Sequence, residues 1–200
     1  MRIKLVMGCW VLSLCALTAT AQMPMGDTKK GPPAGTVIEP SKAVDSQLNI
    51  IESQMMGAVK AMPEEKFGFA PSSAIFVAGQ KTEFTSVRTF AEQAKHVAQA
   101  NYFFMSAVGG MKPDTDVAAI GKLSKKDDIV AALAGSFAFG HKVIATLTPA
   151  NAFEVVNVQE IGVQTRTTLS MFAAAHAFDH YGQMVEYLRM SGIVPPASAK

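Results

Sequence analysis

The chain is short of the residues that carry most covalent and charge-driven chemistry. It has two cysteines in 200 residues, Cys9 and Cys15. Both lie in an N-terminal segment with the order of an export signal. Met1-Arg2-Ile3-Lys4 is positively charged, Leu5 to Leu17 is almost wholly apolar, and Ala19-Thr20-Ala21 supplies small residues at a cleavage position. The pattern predicts a secretory signal peptide over residues 1–21, since the apolar run is short for a membrane span. A lipid-anchored cysteine at Cys15 is the rival, and the bulky Leu14 before it argues against that anchor. Cleavage after Ala21 removes both cysteines and excludes disulfides and thiol nucleophiles from the mature chain. The expected location is periplasmic or secreted, with no membrane attachment after cleavage.

Charge is scarce as well. There are 18 basic and 16 acidic residues, and Arg2 and Lys4 leave with the signal, so 18 − 2 = 16 basic residues face 16 acidic ones. A balanced mature chain has no electrostatic footprint for nucleic acid. No Gly-x-Ser-x-Gly elbow, Walker loop or dinucleotide fingerprint is present. There is no internal repeat.

What is there is mostly helical pattern. Residues 22–41 form a Pro/Gly-rich leader, with too little apolar surface to offset ordering entropy. Its Met23 and Met25 are too few thioethers for a soft-metal site. Residues 42–196 make one domain of ordinary size, followed by a short tail, 197–200. Ser41 is a candidate cap for a helix over about Lys42 to Met62, with Val44, Leu48, Ile51, Met55 and Val59 on one stripe. Ser86 is a candidate cap for a second helix to about Val108, with Phe90, Ala94, Val97, Asn101, Phe104 and Val108 inward. Gly109-Gly110 stops it. A third helix follows Ser124 and runs to about Leu147, with Ile129, Leu133, Phe137, Ile144 and Leu147 as its apolar residues. Residues 153–161 suit a short strand or an extended connector. The fourth helix spans about Thr165 to Met190. Leu169, Phe172, Ala173, His176, His180, Gln183, Met184 and Tyr187 share its stripe, and Gly192 fits the end. Four such helices predict an all-α four-helix bundle with long connections. A first connection that recrosses the bundle would leave helices one and two parallel.

His176 and His180 carry the functional lead. At i and i+4 they project from one helical face, roughly 6 Å apart along the axis, and can share one ion. Buried imidazoles need hydrogen-bond partners or a metal, and two on one interior face favour the metal. His96, at the edge of the second stripe, is a third candidate, because bundles build metal sites from facing helices. Three imidazoles leave coordination positions open, as in catalytic sites. Asp179, Gln183 and Glu92 are candidates to orient the rings through their other nitrogens. His141 has no partner spacing and is read as an ordinary helix residue. His176-Ala177-Phe178-Asp179-His180 lacks the glutamate of a zincin helix.

Three stretches together resemble the DinB-like superfamily, grouped with the YfiT-type metal-dependent proteins. They are Phe90-Ala91-Glu92-Gln93-Ala94-Lys95-His96-Val97-Ala98, His176-Ala177-Phe178-Asp179-His180-Tyr181-Gly182-Gln183, and the ending Tyr187 to Pro196. Met62-Pro63-Glu64-Glu65-Lys66-Phe67 is similar to the family's first-helix exit. The resemblance implies a four-helix bundle holding zinc, nickel, iron or manganese on His96, His176 and His180, and it allows a homodimer. Characterised relatives include thiol-dependent transferases and isomerases, a use at odds with an export signal. The expectation is an exported metalloprotein performing metal-assisted hydrolysis or group transfer on a small molecule. The rival is a non-catalytic metal-binding or stress-response protein of the same fold.

Overall fold

A computed structural model describes residues 31–75, 77–80, 87–159 and 161–199. The expected signal peptide, the first part of the leader and Ser86 lie outside the described residues. Four long helices carry the fold: α1 (Pro40–Ala61), α2 (Phe90–Gly109), α4 (Lys126–Ile144) and α5 (Arg166–Met190), with a one-turn α3 (Val117–Ile120) between α2 and α4. β1 (Val155–Val158) and β2 (Gly162–Thr165) form an antiparallel hairpin before α5, pairing Val156 with Gln164.

The apolar stripes account for the packing. Every stripe residue expected on the first three helical segments is buried, from Val44 on α1 to Leu147 just past α4. The largest fully buried side chains include Leu48, Ile51, Phe90, Phe137 and Leu169. Burying each is worth roughly 1.5–3 kcal/mol of transfer free energy. α1 packs on α4 and α5, and α2 packs on the same two helices. Helices α1 and α2 therefore stand at opposite corners.

Hydrogen bonds fix the directions. The N–H groups of Phe90 and Ala91, opening α2, donate to the carbonyls of Phe69 and Phe67, just past the end of α1. Lys126, opening α4, donates through Nζ to the carbonyls of Lys60 and Met62. So α2 and α4 both start where α1 ends. Arg166, opening α5, donates to the carbonyl of Val108 near the end of α2. The order is up, down, down, up. The first connection therefore does not recross the bundle, and α1 and α2 run antiparallel rather than in the parallel arrangement a recrossing would have given. The chain returns along the bundle in the second connection instead, where the Lys95 ammonium donates to the carbonyls of Gly121 and Leu123.

Helix ends differ in instructive ways. α1 begins at Pro40 with Glu39 as an N-cap that makes no side-chain bond, so Ser41 is not the cap. Proline suits the first helical turn because its missing N–H would be unpaired there anyway. Lys125, not Ser124, is the N-cap of α4. Thr89 caps α2 through a reciprocal capping box with Glu92, and Thr165 caps α5 through one with Thr168. α5 ends in a Schellman turn. Ile193 N–H donates to Leu188 O and Gly192 N–H to Arg189 O, with Gly192 at φ 76°.

Candidate metal centre

Helices α2 and α5 pack side by side and run in opposite directions, which brings the second turn of α2 against the middle of α5. His96 comes from α2, and His176 and His180 come from successive turns of α5. The Nε2 atoms of His96 and His176 are 3.2 Å apart, and those of His180 and His176 are 3.1 Å apart. One nitrogen from each ring lies within 4.8 Å of the other two. Ligand nitrogens held ~2.0–2.1 Å from one ion, at angles of about 90–110°, stand roughly 2.9–3.4 Å apart. The three histidines are thus placed closely enough to hold a metal ion. No other group of three His, Cys, Asp or Glu side chains among the described residues converges in this way.

Burial keeps these rings neutral. It is the largest cause lowering His96 to about 4, with the charges of Arg88 and then His176 adding to it. Burial also leads the shift of His180 to about 4, followed by His176 and His96. His176 is lowered too, by burial first, with Asp179 opposing and Arg88 assisting. A neutral imidazole keeps the lone pair that binds a cation.

A chain of hydrogen bonds fixes one lone pair in direction. The Asp179 carboxylate can only accept, and the Gln183 amide NH2 donates to it at 3.0 Å. That leaves the Gln183 Oε1 to accept from Gln93 Nε2 at 2.8 Å. Gln93 Oε1 must then accept from His180 Nδ1, 2.6 Å away. The proton of neutral His180 therefore sits on Nδ1, and its Nε2 lone pair points at His176 Nε2. If His176 is protonated at Nε2, its buried Nδ1 is an acceptor with no partner; if at Nδ1, that N–H is unpartnered and two lone pairs confront each other. Among the described residues His176 Nδ1 has no hydrogen-bond partner in either case. A cation shared by the three Nε2 atoms would relieve the confrontation of lone pairs, while the His176 Nδ1–H would still find no partner among the described residues; the inward-facing lone pairs are what fit a metal.

The helix faces divide differently from the expected stripe. His180 is buried at 6% exposure, whereas Phe172 is 42% exposed. His176 and Gln183 are half-buried. The α5 face thus leaves the core at the site and opens to a cleft. Asp179 and Gln183 do orient a ring, through Gln93. Glu92 does not, because its carboxylate accepts the Thr89 N–H and hydroxyl at the α2 cap. His141 lies away from the site, clamped between Asp45 Oδ1 at 2.5 Å from Nδ1 and Glu52 Oε2 at 2.9 Å from Nε2.

Gln93 is the residue that sequence reasoning missed. Its signal is an amide one turn before His96, next to buried Ala94 and Phe90. A buried amide at 2% exposure requires partners.

The model of the DinB superfamily matches residues 47–184, most of the chain and all three histidines. The chain belongs to the DinB superfamily. A crystal structure of a protein assigned to the DinB family, from Exiguobacterium sibiricum 255-15, is similar to this DinB-superfamily chain with a TM-score of 0.55 and 15% identity. The similarity covers 78% of this chain and 95% of that one, and at that identity it speaks for the shared fold alone. No curated protein matches the chain.

Proposed function

We propose that this DinB-superfamily protein is an exported metalloenzyme that hydrolyses, or transfers a group from, a small molecule at the three-histidine centre. The observation that carries the reading is the convergence of three Nε2 atoms in which the His180 lone pair is aimed inward by Gln93. A divalent ion there would supply a Lewis acid and would lower the pKa of water toward neutrality. His96, His176 and His180 would hold the ion. Gln93 keeps the His180 proton on Nδ1, and Phe104, edge-on to His176 with ring centroids 5.4 Å apart, walls one side of the site from water. In the hydrolytic form of the reaction, water oxygen bonds to an acyl carbon, the acyl–oxygen or acyl–nitrogen bond breaks, and the leaving group takes a proton from that water. Export rests on the order of charge, apolar run and small residues over 1–21.

The test is activity profiling on small esters, amides and thiol adducts with protein collected from the periplasm. Turnover should disappear with chelator, return with added divalent ion, and be absent from His176→Ala. Metal retained with no turnover across the panel would instead favour a non-catalytic metal-binding protein.

A further inference from the structure

Two open clefts meet at His96 and Gln99, which line both. One, of about 420 Å³, is polar and carries Arg88, Glu92 and Lys95. The other, of about 400 Å³, is mostly apolar and carries Phe103, Phe104, Phe172 and His176. We propose that the site takes a small monocarboxylate bearing an aromatic or short alkyl arm, its carboxylate on Arg88 and its arm between Phe103 and Phe172. This deepens the metalloenzyme reading and rests on it, because it places the middle of the molecule against His96, beside His176.

The polar cleft is built for one negative charge. Glu92 is engaged by Thr89 at the helix cap, and the Lys95 ammonium is held by the carbonyls of Gly121 and Leu123. Arg88 is exposed, and its guanidinium makes no ion pair among the described residues. Its backbone is anchored, since its carbonyl accepts from the Tyr187 hydroxyl at 3.1 Å. Lys95 and Glu92 are already engaged, so the Arg88 guanidinium is the cation left to take a carboxylate, and a divalent ion at the imidazoles would add to the pull on an anion. A guanidinium grips a carboxylate through two parallel N–H···O bonds.

The apolar cleft gives the second half of the ligand. Phe103 and Phe172 are each 42% exposed, an arrangement that leaves large apolar surface to be covered. Buried Phe104 makes the floor, edge-on to Phe103 at 5.4 Å and to Phe172 at 5.3 Å between centroids. A cleft at the small end of the range for ligand sites has room for one ring or a short chain.

The experiment uses three probes on zinc-loaded protein: N-benzoylglycine, its primary amide, and N-acetylglycine. Binding is read by calorimetry for wild type, Arg88→Gln and Phe172→Ala, with folding checked by circular dichroism and metal content measured for each. On wild type, converting the carboxylate to the amide should weaken binding roughly tenfold or more. The same change should do little on Arg88→Gln. Loss of the phenyl group should matter on wild type and little on Phe172→Ala. Equal binding of acid and amide to wild type overturns the proposal, as does a carboxylate preference that survives in Arg88→Gln or no binding of any probe at millimolar concentration. Full metal content alongside any of these results would sink the substrate class alone, whereas absent metal would sink the metalloenzyme reading beneath it.

Discussion

Replacing Gln93 with Met tests the link between the buried amide and the histidine cluster. Methionine fills a similar volume but offers no acceptor to His180 Nδ1 and no donor to Gln183. Two buried hydrogen bonds, of 2.6 and 2.8 Å, are lost together. The His180 Nδ1–H is then unpaired in a residue only 6% exposed, a situation that costs about 1–3 kcal/mol. The ring is also free to place its proton on Nε2, where it blocks cation binding. Losing such an orienting partner typically lowers metal affinity about 10–100-fold. Titration of zinc against a competing chelator measures this directly. The effect should fall along the relay from Gln93→Met to Gln183→Met to Asp179→Asn, because Asp179 is exposed and water can stand in for it. His141→Gln, remote from the site, should bind zinc as wild type does. Wild-type affinity in Gln93→Met, or equal losses in Gln93→Met and His141→Gln, would mean that Gln93 does not set the His180 lone pair.

Other consequences are structural. Burial works against protonation of His141, yet the hydrogen bonds and charges of Asp45 and Glu52 outweigh it and hold its pKa above the usual histidine value. A raised folded-state pKa adds stability that is complete below the unfolded value of ~6.5 and is lost as pH rises through the folded value. Urea unfolding should therefore find wild type about 1 kcal/mol more stable than His141→Gln at pH 5.5, with the gap shrinking by pH 9; a gap that widens with pH contradicts the clamp. A Cβ added at Gly140 would meet Leu48 Cδ2 at 3.0 Å and Met105 Cγ at 3.6 Å, where α1, α2 and α4 converge. Gly140→Val should cost about 1–3 kcal/mol by overpacking, and unchanged thermal stability would contradict that close approach. Thr165→Ala removes the α5 capping box and should cost about 1 kcal/mol in chemical denaturation, an effect absent if the cap is idle.

The bundle was legible because its stripes are. Val44 to Val59 on α1 and Phe90 to Val108 on α2 repeat at helical spacing, and burial follows that spacing. Caps were less legible, because several residues near each start offer a suitable side chain. Thr89 lies three residues before Glu92 and makes the reciprocal pair, while Ser41 lies inside a turn already begun by Pro40. The directions of the helices were not legible. They follow from which connection recrosses the bundle, and apolar spacing within a helix is the same whichever way the helix runs; the Lys95 and Lys126 contacts with distant carbonyls record the outcome. The histidine pair was readable from its spacing on α5. Gln93 was not, since a glutamine beside an acidic and an apolar neighbour resembles a surface residue until α5 is placed against it. The Asp45–His141–Glu52 clamp had a faint signal, two carboxylates seven residues apart on one helix, but its imidazole comes from another helix.

We propose that His96, His176 and His180 together hold one divalent ion. Elemental analysis of protein purified without added metal or chelating resin tests it most directly. Wild type and His141→Ala should each carry close to one divalent ion per chain, and His176→Ala or His180→Ala almost none. Metal-free wild type, or a metal content that the His176 and His180 substitutions leave unchanged, would contradict it.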